Sequence, residues 1–98
     1  MSSDHRPLLV FFGAAHSGPA RRMESLVAHL ARKERARLRV QEVDIDEQPD
    51  LAKRFGVTTV PTLVLVKDKR VVGRLEGRVS APQIEQMLEP HLDGELAA

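Results

Sequence analysis

The chain has 98 residues, of which 42% are hydrophobic, with three Phe, no Tyr, no Trp, no cysteine and a formal net charge of +1. Such a length holds one domain around one aliphatic core and leaves little room for a second. The lack of cysteine excludes any reaction that needs a protein thiolate or a protein dithiol, and no apolar run approaches the ~18 residues of an ordinary membrane span.

The small net charge hides a segregated sequence. Residues 1 to 39 carry eight Arg/Lys against three acids, 40 to 50 five acids and no base, 51 to 78 seven bases against two acids, and 79 to 98 four acids and no base. The one dense basic stretch, Arg32 to Arg39, is broken by Glu34 and has no aromatic residue for stacking on bases. It sits where a helix should end, and the negative end of the helix dipole accounts for it, so nucleic acid is not an expected partner. The apolar run Leu8 to Ala15 has only His5 and Arg6 as positive flanks. It is too short and poorly flanked for a signal peptide and fits a buried strand, which places the protein in the cytoplasm and away from the membrane.

In chain order, Leu8-Leu9-Val10-Phe11-Phe12 shows no polar alternation, the pattern of a strand covered on both faces. A turn with Gly13, Gly18 and Pro19 follows. Met23, Leu26, Val27 and Leu30 then recur at helical spacing and predict an amphipathic helix over about residues 18–35. Arg39 to Asp44 reads as a second strand, and Pro49 opens a short helix through Phe55 that ends at a left-handed Gly56. Thr62 to Val66 and Val71 to Leu75, joined by Lys67-Asp68-Lys69-Arg70, form a hairpin closed by Gly77. Ser80 and Gln83 have capping-box spacing before a helix that buries Ile84, Met87 and Leu88, with Glu85 and Glu89 as a like-charge pair on its wetter side. Residues 1–6 and 93–98 are expected to be flexible ends of a single domain.

A strand–helix–strand unit needs a right-handed crossover, which makes the first two strands parallel. The order β-α-β-α-β-β-α therefore predicts a compact α/β three-layer sandwich with a mixed four-stranded sheet. From about Leu8 to Leu92 this resembles the thioredoxin family without an additional amino-terminal strand and helix. Three segments carry the resemblance. His16-Ser17-Gly18-Pro19-Ala20 stands where the family has Trp-Cys-Gly-Pro-Cys, between a buried strand and a long helix. Val43-Asp44-Ile45-Asp46 with Pro49 resembles its second strand and the approach to its short helix, and Phe55 to Leu63 resembles the segment around its cis-proline. Gly77 takes the place of a glycine bordering its binding groove.

The departures fall on the chemistry. Ser17 stands in the place of the attacking cysteine and Ala20 in that of the resolving one, while Phe11 and Glu42 stand where the family has an aspartate and a lysine that assist proton transfer. A serine hydroxyl has neither the low pKa nor the redox couple of a thiol, and alanine offers no nucleophile. Because the supporting positions have changed along with the cysteines, the pattern reads as a naturally degenerate site.

The resemblance implies a cis Val60–Pro61 bond and a groove that receives an extended peptide through main-chain hydrogen bonds, a mode that requires no cysteine. The expected function is therefore a non-redox peptide- or protein-binding adaptor, with Ser17, Pro19, Val60, Pro61 and Gly77 lining the groove and another protein, an extended peptide or a further copy of the chain as partner. No catalytic residue and no cofactor is expected. The alternatives are a non-redox enzyme using Ser17 or His16, and a module that self-associates through a sheet edge. Ser17 has a simpler use as the cap of the long helix, and the sequence shows no third group to orient the His16 imidazole. His5, His16, His29 and His91 lack metal-site spacing, and Asp44 and Asp46 fit capping of the next helix.

Overall fold

The structure, a computed structural model of the chain, describes residues 5–92. The expected flexible ends fall largely outside these residues; within them, Arg6 Nη1 donates to Arg35 O at 2.7 Å. The elements are β1 (Leu8–Gly13), α1 (Gly18–Lys33), β2 (Arg39–Asp44), α2 (Pro49–Arg54), β3 (Thr62–Lys67), β4 (Arg70–Glu76) and α3 (Ala81–Leu88), followed by a 3₁₀ turn, Glu89–His91. The sheet order is β2-β1-β3-β4. β1 runs parallel to β2 and antiparallel to β3, and β4 is antiparallel to β3, giving the mixed four-stranded sheet that the element order predicts.

The unbroken apolar runs of β1 and β3 follow from their central positions. Leu9, Phe11, Leu63 and Leu65 point to one face and join Met23, Val27 and Leu30 of α1 and Ile84 and Leu88 of α3. Val10, Phe12 and Val64 point to the other, where they meet Val43 of β2 and Ala52 of α2. Successive strand side chains alternate between faces, so two central strands supply two cores at once and helices must cover both. The Phe12 and Phe55 rings, 5.6 Å apart between centroids and tilted by 53°, seal the α2 side. The edge strand β2 is mostly exposed, with Arg39, Gln41 and Glu42 facing water, as expected of a charged edge.

The helix ends follow local chemistry. Ser17 caps α1 in an extended conformation and its Oγ accepts from Ala20 N at 3.2 Å. Ser80 and Gln83 complete both halves of the capping box on α3. Arg32 and Lys33 occupy the last turn of α1, where the dipole favours cations. Lys33 Nζ reaches Glu85 Oε2 on α3 at 3.2 Å, giving one member of the Glu85/Glu89 pair an opposite charge. Arg37 folds back on Glu34 at 2.8 Å, so the acid that interrupts the basic stretch also neutralises part of it. Gly56 is left-handed at the end of α2, with φ of 65°.

Two points on the hairpin carry strain or close approach. Its turn residues Asp68 and Lys69 both have positive φ, 53° and 66°, the type I′ geometry for which Asn-Gly is the usual solution. On β4, Gly73 opposes Leu65 and Val71 opposes Val66, so Val72 is an extra bulged residue. Gly73 also lies tight against α3: a Cβ there would stand 2.7 Å from Met87 Cγ and 2.8 Å from its Sδ.

Three stability measurements check these assignments by thermal or urea unfolding. Ser17→Ala removes the α1 cap and should destabilise the fold by about 1 kcal/mol. Lys69→Gly relieves the left-handed lysine and should raise stability by roughly 0.5–1 kcal/mol, or Tm by about 3–6 °C. Gly73→Ala should destabilise by about 1–3 kcal/mol, and combining it with Met87→Ala should give less than the sum of the two single losses, because the shortened side chain makes room for the new methyl group.

Candidate functional site

The loop between β1 and α1 brings His16, Ser17, Gly18, Pro19 and Ala20 to the carboxyl end of the sheet's central strand. Ser17 N donates to Ala14 O and Arg21 N to Ser17 O, each at 3.0 Å, so the loop closes as a tight turn and passes directly into the helix. Ser17 is half-buried, Gly18 and Pro19 are exposed, and Ala20 is 1% exposed beneath them. The Ser17 hydroxyl is engaged by the cap to Ala20 N, and among the described residues no hydrogen bond joins it to His16. His16 instead turns outward, its Nδ1 3.3 Å from Asp46 Oδ2, with both side chains largely in solvent. Asp46 is thus a neighbour of the loop that sequence spacing did not reveal: it lies thirty positions away, brought in by the crossover from β1 to β2.

Below the loop the two remaining degenerate positions face one another. Phe11 and Glu42 are register partners on β1 and β2. Phe11 is 2% exposed, and its ring lies 3.6 Å from where a Gly13 Cβ would stand, with Ala20 Cβ at 3.4 Å. The space between Phe11, Gly13 and Ala20 is therefore filled by hydrocarbon, with no ionisable group on β1 to relay a proton. Glu42 opens instead onto a cleft of about 260 Å³ whose lining includes Phe11, Glu24, Asp44 and Glu47 and no basic side chain. A negative, partly apolar setting disfavours a thiolate, so the surroundings point the same way as Ser17 and Ala20.

The third part of the site is the connector from α2 to β3. The Val60–Pro61 bond is cis. Pro61 is buried and precedes β3, where its missing N–H interrupts no ladder, while Val60 is half-buried at the rim. Thr62, 1% exposed and among the described residues the one buried polar side chain, donates from Oγ1 to Thr59 O at 2.8 Å. Gly77 N donates to Pro61 O at 2.8 Å, and Gly77 has φ of 82° with open space where a Cβ would sit. Among the described residues the main-chain N–H and C=O of Val60 make no hydrogen bond. Arg74 of β4 reaches the other end of the connector, donating to Phe55 O and Gly56 O at 2.7 and 2.8 Å. No short-range motif in the sequence announces that contact.

The carboxylates of the β2–α2 junction do not cap α2 as expected. Asp44 Oδ1 accepts from Asp46 N at 2.8 Å, a local turn, while the α2 cap is Gln48 with no side-chain hydrogen bond and the acid of its first turn is Asp50. Two residues of chain, Glu47 and Gln48, separate the acids from the helix start, too far for either to reach its first amides. Among the described residues no group of three or more His, Cys, Asp or Glu side chains is arranged to hold a metal ion, and no helix is long and apolar enough to cross a membrane.

Comparison with known proteins places this geometry. The thioredoxin family profile matches residues 1–90. Thioredoxin 1 of Nostoc sp. is 34% identical over 86 residues, covering 88% of this chain and 80% of that protein. The thioredoxin of Alicyclobacillus acidocaldarius is 35% identical over 83 residues, covering 85% and 79%. Among solved structures, the germline-specific thioredoxin Deadhead of Drosophila melanogaster superposes with a TM-score of 0.84 at 28% identity, covering 91% of this chain and 84% of that one. A mutant thioredoxin of Halobacterium salinarum gives 0.84 at 32% identity, covering 93% and 79%. With its sheet order, its helix-capping loop and its proline connector all in place and no cysteine in the sequence, the chain belongs to the thioredoxin family.

Proposed function

We propose that this domain is a non-redox binding module that receives an extended peptide, or an extended segment of a partner protein, in a groove formed by Ser17, Pro19, Val60, Pro61 and Gly77. The observation that carries the reading is the unpaired main chain of Val60. A backbone N–H and C=O left without protein partners among the described residues, at a half-buried rim, retain their hydrogen-bonding capacity. An extended segment laid against them gains two directional bonds without any side-chain chemistry, as in other modes of strand addition. Pro61 and Gly77 support the reading because the bond between them fixes the wall on which Val60 stands. The cytoplasm is the setting proposed for this binding.

The enzymatic alternative draws only on the His16–Asp46 pair. An orienting carboxylate is one part of a general base, but a Ser17 hydroxyl committed to the helix cap and unbonded to His16 is not an activated nucleophile. A further copy of the chain is a second candidate partner, through the free edges β2 and β4.

Selection of a random extended-peptide display library on the purified domain, followed by calorimetric titration of the enriched peptides, tests the groove. Val60→Asp and Gly77→Ala should each weaken binding by about tenfold or more, near 1.4 kcal/mol, while the folded baseline in circular dichroism is retained. Enriched peptides that bind the wild type and both variants equally, or a library that yields no enrichment, would overturn the proposal.

A further inference from the structure

Arg74 is a heavily engaged side chain outside the loop that carries Ser17. It stands on β4, and its guanidinium makes three bonds at once: Nε to Glu76 Oε2 at 2.8 Å, Nη1 to Phe55 O at 2.7 Å and Nη2 to Gly56 O at 2.8 Å. The two carbonyls close α2, where backbone acceptors have run out of helical partners and the negative end of the helix dipole gathers. A planar fork of donors can hold two successive carbonyls while a carboxylate fixes its plane; an ammonium, as a point charge, cannot do the same. The side chain of Arg74 is 31% exposed and that of Glu76 is 53% exposed, so their own ion pair contributes little to stability. What the pair sets is direction.

Beyond Gly56 the chain has no regular structure until β3 begins at Thr62. The residue after β4 takes hold at the far end, where Gly77 N donates to Pro61 O at 2.8 Å. β4 and the residue that follows it thus hold both ends of the connector Gly56 to Pro61, with the Arg74 side chain at one end and the Gly77 main-chain amide at the other. Between the grips, Val57 N donates to Ala52 O at 2.9 Å, Thr62 Oγ1 donates to Thr59 O at 2.8 Å and the half-buried Val60 packs against the core, while Thr58 and Thr59 are exposed.

We propose that Arg74, oriented by Glu76, is a positioning residue that holds the Val60–Pro61 segment in place from the helix side. Its effect on ligand binding rests on the groove reading above; its effect on the connector does not. If Arg74 served only as a cap for α2, its loss would be felt in the helix and would stop there. As a positioning residue, its loss loosens the connector beyond the helix, because the bond from Val57 N to Ala52 O is then the remaining main-chain hold at that end.

The test is backbone ¹⁵N relaxation on the wild type, Arg74→Met, Arg74→Lys and Glu76→Gln. Methionine keeps an unbranched apolar stem along β4 and removes all three bonds. Order parameters at Thr58, Thr59 and Val60 should be about 0.85 in the wild type and fall below about 0.6 in Arg74→Met, with Leu63 to Leu65 unchanged. Arg74→Lys should fall between the two, since one ammonium cannot hold both carbonyls in a fixed plane, and Glu76→Gln should show a smaller decrease. Unchanged order at Thr58 to Val60 would overturn the proposal, and so would a decrease confined to Leu51 to Arg54. Titration of the enriched peptides into Arg74→Met should show affinity lowered by about tenfold. If the wild type enriches no peptide, the groove reading fails, and the relaxation data alone decide the positioning of the connector.

Discussion

Everything in this molecule depends on β1 and β3 being covered on both faces. A strand at the centre of a sheet presents alternate side chains to opposite sides, and here both sets are apolar: Leu9 and Phe11 with Leu63 and Leu65 on one, Val10 and Phe12 with Val64 on the other. Two helices must then lie on the first face and one on the second, and the connections that carry the chain between faces have to cross the ends of the sheet. The β1–α1 loop and the α2–β3 connector are two such crossings. Their position is a consequence of burial, and it persists whatever residues the loops carry.

This explains how the site can lose its chemistry and keep its form. Redox exchange depends on particular atoms, two sulfurs and the groups that move protons for them, and in this chain Ser17, Ala20, Phe11 and Glu42 supply none of those. The geometry of the groove depends mainly on backbone: a cap from Ser17 to Ala20 N, an amide from Gly77 to Pro61 O and a hydroxyl from Thr62 to Thr59 O. Serine is in fact the better residue for the first of these, since it is a preferred helix cap. Phe11 likewise adds hydrocarbon to the core at a position where a buried carboxylate would be costly. The residues at positions 17 and 11 therefore have structural roles of their own, as cap and as core.

How much of this was legible in the sequence divides along the range of the interactions. The apolar runs, the helical spacing of Met23, Val27 and Leu30, the Ser80–Gln83 box and the left-handed Gly56 are local patterns, and the elements stand where those patterns place them. The loop from His16 to Ala20 and the connector around Pro61 were readable because turn chemistry and a family resemblance both mark them. Asp46 beside His16 and Arg74 across the end of α2 were not, because each is made by topology: the parallel crossover brings the first, and the β3–β4 hairpin carries the second back past a helix eighteen residues earlier. The acidic junction shows the converse error. Asp44 and Asp46 have a composition suited to capping, but a turn closed by Asp44 on Asp46 N holds the pair short of the helix.

The charge pattern also takes on a meaning in the folded chain that it lacks along the sequence. Residues 40 to 50, which hold five acids and no base, become the edge strand β2 and its exit, and they place Glu42, Asp44 and Glu47 around the cleft beneath the loop. The basic stretch before them is partly answered within itself by Arg37 on Glu34 and across the helices by Lys33 on Glu85. The acids of the cleft find no such counter-charges among its lining residues, and like charges gathered there are tolerated because Glu42 and Glu47 face water. A site arranged to stabilise an anionic nucleophile would have the opposite sign at this place. The charge of the cleft and the absence of cysteine therefore point the same way, away from thiolate chemistry beneath the loop.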